Sequence, residues 1–216
     1  MSQQERAVRT QTALIRSAAE MFDRHGYEKA SLHDISSGAG VSRGALHFHF
    51  ESKAEVACAV ESAAARTLRQ VMDSVLSEDV CALQGLTDLL HRLVRLLLWD
   101  VVVRAGFLLS CEAGSRVRTD LCQEWRTYVH GLVLRAAEEE EALAPGVSQE
   151  GVVNTVVGAT VGFVVLSRAD KQWLAARTVT GFWRVLLPSL ADPQAVAGLD
   201  PAGTRSAHGD PRRTAP

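Results

Sequence analysis

The sequence is short of most features that mark a secreted, redox-active or metal-dependent protein. Four cysteines occur in 216 residues, and Cys58, Cys81, Cys111 and Cys122 form neither a C-x-x-C pair nor a zinc-ligand spacing. A disulfide framework, a zinc ribbon and a thioredoxin-type centre are thereby excluded, and the thiols are expected to be reduced and mostly buried. The amino-terminal residues are not apolar, and the longest apolar stretch, Val152 to Leu166, is interrupted by Asn154, Thr155 and glycines. Neither a signal segment nor a bilayer span is expected, which predicts a cytoplasmic protein with no membrane partner. A formal net charge of −2 gives no global basic signature, so any affinity for nucleic acid has to come from a local patch.

Groups that do chemistry are equally scarce. There is no Ser/His/Asp set, no glycine-rich phosphate loop and no isolated carboxylate pair on a helical face; the run Glu138 to Glu141 reads as a solvated helix end. His47 and His49 lie two residues apart, point in different directions on a helix, and so cannot chelate one ion. No metal, no cofactor and no enzymatic activity are expected.

What the chain does have is helical periodicity. Its 47% hydrophobic content is ample for a core, and nearly every patterned segment repeats at three and four with no alternating run between hairpin turns, which predicts an all-α fold. A first helix is expected from about Thr10 to Arg24, ended by His25-Gly26-Tyr27, with Arg6, Arg9 and Arg16 read either as a mobile basic arm or as an ordinary solvated terminus. Ser52 and Glu55 open a long helix to about Leu76. Further helices follow to Asp100, from Val101 to Ser110, from Leu121 to Glu141, from Gln149 to Leu166 and from Ala169 to Leu190. A polar link runs from Ala113 to Arg118, and Pro145-Gly146 is a break. The Pro-, Gly- and Ala-rich stretch 191–216 is expected to be disordered.

The richest segment runs from Ser31 to Glu55. Ser31 and Asp34 have the spacing of a helix start, Gly38-Ala39-Gly40 breaks that helix, and Ser42 opens a second. The turn length suits a helix-turn-helix. On the second helix Leu46 and Phe50 share one face while Arg43 and His47 share another, so one face packs and the other is free to enter a major groove. Ser42, Arg43, Gly44, His47 and Lys53 are the candidate DNA-binding residues. Arg43 has the fork that pairs with guanine O6 and N7, Gly44 permits close approach, and Lys53 is placed for a phosphate.

Gly40-Val41-Ser42-Arg43-Gly44-Ala45-Leu46-His47-Phe48-His49-Phe50 followed by Ser52-Lys53 resembles the TetR family of bacterial repressors. Arg104-Ala105-Gly106 and Glu124-Trp125-Arg126 resemble, more narrowly, the γ-butyrolactone autoregulator receptors within it. The resemblance implies a three-helix DNA-binding domain at residues 1–53 and a helical ligand-binding and dimerisation domain at 54–190. It further implies a homodimer on a pseudo-palindromic double-stranded operator, released by a small apolar effector, and control of secondary-metabolism genes. Trp125 matches the tryptophan that lines the receptor pocket. Two positions depart from the pattern: His47 stands where most members carry a phosphate-contacting tyrosine, and Phe163 stands where the receptors carry a ligand-holding threonine. Alternatives are a repressor answering antibiotics or other apolar compounds, an enzyme using the apolar cavity, and a DNA-binding scaffold without a ligand.

Overall fold

A computed structural model describes residues 2–112 and 120–204. The chain order is α1 (Gln3–Lys29), α2 (Leu32–Gly38), α3 (Arg43–His49), α4 (Lys53–Leu76), α5 (Ala82–Trp99), α6 (Val101–Glu112), α7 (Leu121–Glu138), α8 (Gln149–Leu166), a 3-10 turn (Lys171–Leu174), α9 (Ala176–Leu190) and α10 (Pro193–Val196). No strand occurs among the described residues beyond an isolated bridge between Leu143 and Ala191. Two compact units emerge: the described residues of Met1–Thr67 with Asp100–Leu121, and those of Leu68–Trp99 with Cys122–Pro216. The division differs from a cut at residue 53, because α6 packs on α1.

In the first unit, α1 begins earlier than its apolar pattern suggests. Ser2 accepts from Glu5 N at 3.2 Å and Ser2 N donates to the Glu5 carboxylate at 2.7 Å, a complete capping box. Arg6 and Arg9 therefore ride on a helix instead of a mobile arm, and Arg16 pairs with Glu20 at 3.4 Å. Gly26, at φ 76° and ψ 165°, kinks the element where the sequence predicts its end. Leu14, Ala18 and Phe22 then share one core with Ile35, Leu46, Phe50, Val56 and Val60, joined by Ala105 and Leu109 of α6.

The Arg104-Ala105-Gly106 motif accounts for that last contact. Arg104 donates to both carboxylate oxygens of Asp23, at 3.0 and 2.9 Å, and both side chains are largely buried. Ala105 is buried in the core, and a Cβ added at Gly106 would lie 2.5 Å from that of Ala64. Any larger residue at 106 would push α6 away from α4.

In the second unit α5 is buried from Ala82 to Val94. Three of its buried polar residues, Gln84, Asp88 and His91, are matched from the chain's far end. Thr204 donates to Asp88 through N at 2.9 Å and Oγ1 at 2.6 Å, Gln84 exchanges hydrogen bonds with the Asp200 backbone, and His91 Nε2 lies 3.0 Å from the Pro201 carbonyl. Residues 191–204 are thus folded, contrary to the disorder expected from their composition, with Ala191, Ala195, Val196 and Leu199 in a small apolar cluster. The rest of the expected tail, and the link expected at Ala113 to Arg118, lie outside the described residues.

The Glu124-Trp125-Arg126 motif is equally legible. Glu124 accepts from Arg69 of α4 at 3.0 and 2.8 Å, and Arg126 donates to Glu150 at 2.6 Å and Asn154 at 2.7 Å on α8. Trp125 between them is fully buried. The helical pattern expected from Ala169 to Leu190 divides, because Asp170 caps a 3-10 turn before α9 starts. Despite its interruptions, α8 is long and apolar enough by length and composition to cross a membrane.

Candidate nucleic-acid interface and effector site

The turn between α2 and α3 follows from its residues. Ser31 Oγ accepts from Asp34 N at 3.1 Å and donates to its carboxylate at 2.6 Å, which starts α2. Gly40 takes φ 68°, a backbone state that costs a side-chain-bearing residue, and Val41 N donates to Ser36 O at 3.0 Å to close the turn. Ser42 then caps α3, its Oγ accepting from Ala45 N at 3.1 Å.

The faces of α3 divide as their spacing predicts. Leu46 and the following Phe50 are buried, while Ser42, Arg43, Gly44 and His47 are exposed. A Cβ at Gly44 would meet only Ser42 Oγ, at 3.8 Å, so this edge is open. Arg43 Nε donates to His47 Nε2 at 3.4 Å. His49 is half-buried and contacts the rings of Phe48 and Phe50, and among the described residues no metal-binding group of three or more His, Cys, Asp or Glu is present.

Two findings on this surface go beyond the sequence reading. Lys53 does not extend freely toward a phosphate: its ammonium donates to the carbonyls of Tyr27, Glu28 and Ala30 at 3.0, 3.1 and 3.1 Å and lies 4.5 Å from the Tyr27 ring centroid. All three of its donors are spent on the carboxyl end of α1. Phe48, not singled out in the sequence, is 82% exposed on the same short helix as Arg43 and His47. A large apolar ring kept in water on a candidate recognition helix is the available signal, since a thymine methyl offers apolar contact in the major groove.

In the second unit the indole N–H of Trp125 is buried and has no hydrogen-bond partner among the described residues, and the same holds for Trp183 on α9. Among the described residues, the ring contacts of Phe163 are with Trp173 and Phe182. It stacks near Trp173, with ring centroids 6.4 Å apart, and meets Phe182 edge-on at 5.7 Å. A separate cleft in this unit is lined by Cys81, Leu83, Glu140 and Leu199 and includes neither Trp125 nor Phe163. The four cysteines are free thiols, but Cys81 is exposed and the others are only half-buried. In the first unit, burial and then the nearby Asp120 charge push the Glu61 carboxyl up to about 7.

Residues 14–60 match the family described as bacterial regulatory proteins, tetR family. Over 206 residues, 94% of this chain and 71% of the relative, the sequence is 30% identical to the A-factor receptor protein of Streptomyces griseus. A solved γ-butyrolactone receptor, described as ArpA-like, superposes with a TM-score of 0.82 at 29% identity, covering 94% of this chain and 98% of that one. The TetR family protein CprB from Streptomyces coelicolor, solved with its operator sequence, gives 0.78 at 30% identity over 89% of this chain and 93% of its own. The helix-turn-helix geometry and a likeness running nearly the length of the chain agree, and the chain belongs to the TetR family of DNA-binding transcriptional regulators.

Proposed function

We propose that this protein is a homodimeric repressor in the cytoplasm, without enzymatic activity, whose second unit binds a small apolar effector and releases the operator. The observation that carries the reading is the Trp125 indole: a fully buried donor with no acceptor among the described residues, on a motif that resembles the γ-butyrolactone receptors. Leaving such a donor unpaired costs about 1–3 kcal/mol, which a ligand carbonyl would recover. Trp183 offers a second donor of the same kind. Dimerisation is supported by Val165, Leu166 and Val185, exposed on α8 and α9, with Trp173 in the turn between those helices. The effector acts by differential affinity, favouring a dimer whose two α3 helices are wrongly spaced for successive major grooves.

A second reading concerns which effector fits. Phe163 replaces a hydroxyl with a ring that already stacks in an aromatic cluster, which favours a flatter or aromatic apolar compound over simple γ-butyrolactones. The test is titration of the protein–DNA complex with γ-butyrolactones for wild type, Trp125→Phe and Phe163→Thr. Release of the wild type at nanomolar γ-butyrolactone would overturn the second reading, and a response gained only in Phe163→Thr would support it. Light scattering at micromolar concentration should give twice the chain mass.

A further inference from the structure

We infer that His47 is a positioning residue for Arg43, fixing which edge of the guanidinium reads a base, and does not replace the tyrosine of its relatives as a phosphate contact. This rests on the reading of α3 as the recognition helix. The two side chains lie one turn apart on the exposed face, and Arg43 Nε donates to His47 Nε2 at 3.4 Å. In this pairing the ring Nε2 accepts, which leaves Nδ1 as the nitrogen turned away from Arg43. With Nε engaged, the free edge of the guanidinium is the Nη1/Nη2 pair, two parallel donors that match guanine O6 and N7. Within α3 no acidic residue competes for Arg43. An arginine on a short exposed helix otherwise samples many rotamers, and restraining it before DNA arrives lowers the entropy lost on binding. The ligand feature recognised is therefore a guanine edge in the half-site, and His47 acts on it only through Arg43.

The experiment uses full-length protein and duplexes that the purified protein enriches from random-sequence DNA, together with every single-base variant of the enriched site. Fluorescence anisotropy gives the affinity ratio between the site and its variants for wild type, Arg43→Ala, His47→Ala, His47→Gln and the double alanine variant. In wild type, replacing the guanine read by Arg43 should cost on the order of 10- to 100-fold. His47→Ala should shrink that ratio several-fold at that one base, with the slope of log affinity against log salt kept. His47→Gln, which retains an acceptor within reach, should restore much of the ratio and guards against a misfolded alanine variant. In the Arg43→Ala background the ratio should not fall further when His47 is removed. A uniform loss across all sequences with a shallower salt slope would make His47 an independent phosphate contact and overturn the inference. Full discrimination retained by Arg43→Ala would overturn the reading of α3 as well, whereas loss in Arg43→Ala without loss in His47→Ala would overturn the positioning role alone.

Discussion

The two units are left incomplete in different ways. In the first, three long cationic side chains find partners within the unit: Arg104 on Asp23, Lys53 on three carbonyls, Arg43 on His47. What it presents outward is a short polar helix edge with one exposed ring, Phe48. The second unit is the reverse, polar where it needs internal matching along α5 yet holding two unpaired indole donors inside and exposing Val165, Leu166 and Val185 outside. The difference shows what each unit lacks. The first lacks a hydrated, charged partner with base edges; the second lacks an apolar surface like its own and a hydrogen-bond acceptor.

The comparison breaks most visibly if the outer face of the second unit is made polar. Val185 is 78% exposed, so Val185→Glu should leave the monomer folded while placing a desolvated charge in the proposed dimer interface. Operator affinity should fall by more than about 100-fold, because each subunit then binds its half-site alone. Normal light-scattering mass and normal gel shifts in this variant would show that α9 does not dimerise the protein.

Next in size is Lys53→Ala. A phosphate contact would only flatten the salt dependence of DNA binding, whereas an ammonium closing α1 with three hydrogen bonds should lower the stability of the first unit by about 1–3 kcal/mol without DNA. Thermal denaturation of the free protein decides between them: an unshifted midpoint would return Lys53 to the phosphate role.

Glu61 sharpens the contrast, as a carboxyl buried inside the first unit. Its folded-state pKa, near 7, lies above the ordinary value of 4.5, so folding favours the protonated form. Stability should therefore fall as pH rises from about 4.5 to 7 and level off above. Glu61→Gln removes that penalty, and its advantage over wild type should grow across this window to on the order of 1–3 kcal/mol. A difference in thermal midpoint that stays constant from about pH 4.5 to 8 would refute the assignment.

The smallest effect is expected from Phe48→Ala. Loss of one apolar contact to a thymine methyl should weaken specific binding by about 1 kcal/mol and relax preference at a single A·T pair. An unchanged sequence preference would leave the exposed ring without a role on DNA.

Short-range features were readable in the chain because the residues that cause them are close in sequence. Ser31, Ser42 and Ser148 each cap a helix through the backbone N–H three residues on, Gly40 supplies the turn, and Arg43 and His47 share a face at a spacing of four. Of the site, the exposed edge of α3 followed from the same periodicity, whereas Trp125 was singled out only by the resemblance of its motif. What escaped reading has partners far away. Lys53 meets carbonyls 23 to 26 residues back, and Asp200 and Thr204 reach α5 across 116 residues, so a composition suited to disorder folds because a buried polar stripe awaits it. The early start of α1 is a different miss, since Ser2 and Glu5 carry the capping-box spacing in plain view.

The close approach of Gly106 to Ala64 bears on how such a regulator can be taken apart. Since α6 packs into the core of the first unit while lying, in chain order, between segments of the second, the chain passes between units at residues 67/68, 99/100 and 121/122. A reader head excised as residues 1–67 would carry every candidate DNA-binding side chain yet lose Ala105 and Leu109 from its core and the Arg104 partner of Asp23. Grafting this specificity onto another regulator therefore means transplanting two separate stretches of chain, with glycine kept at 106.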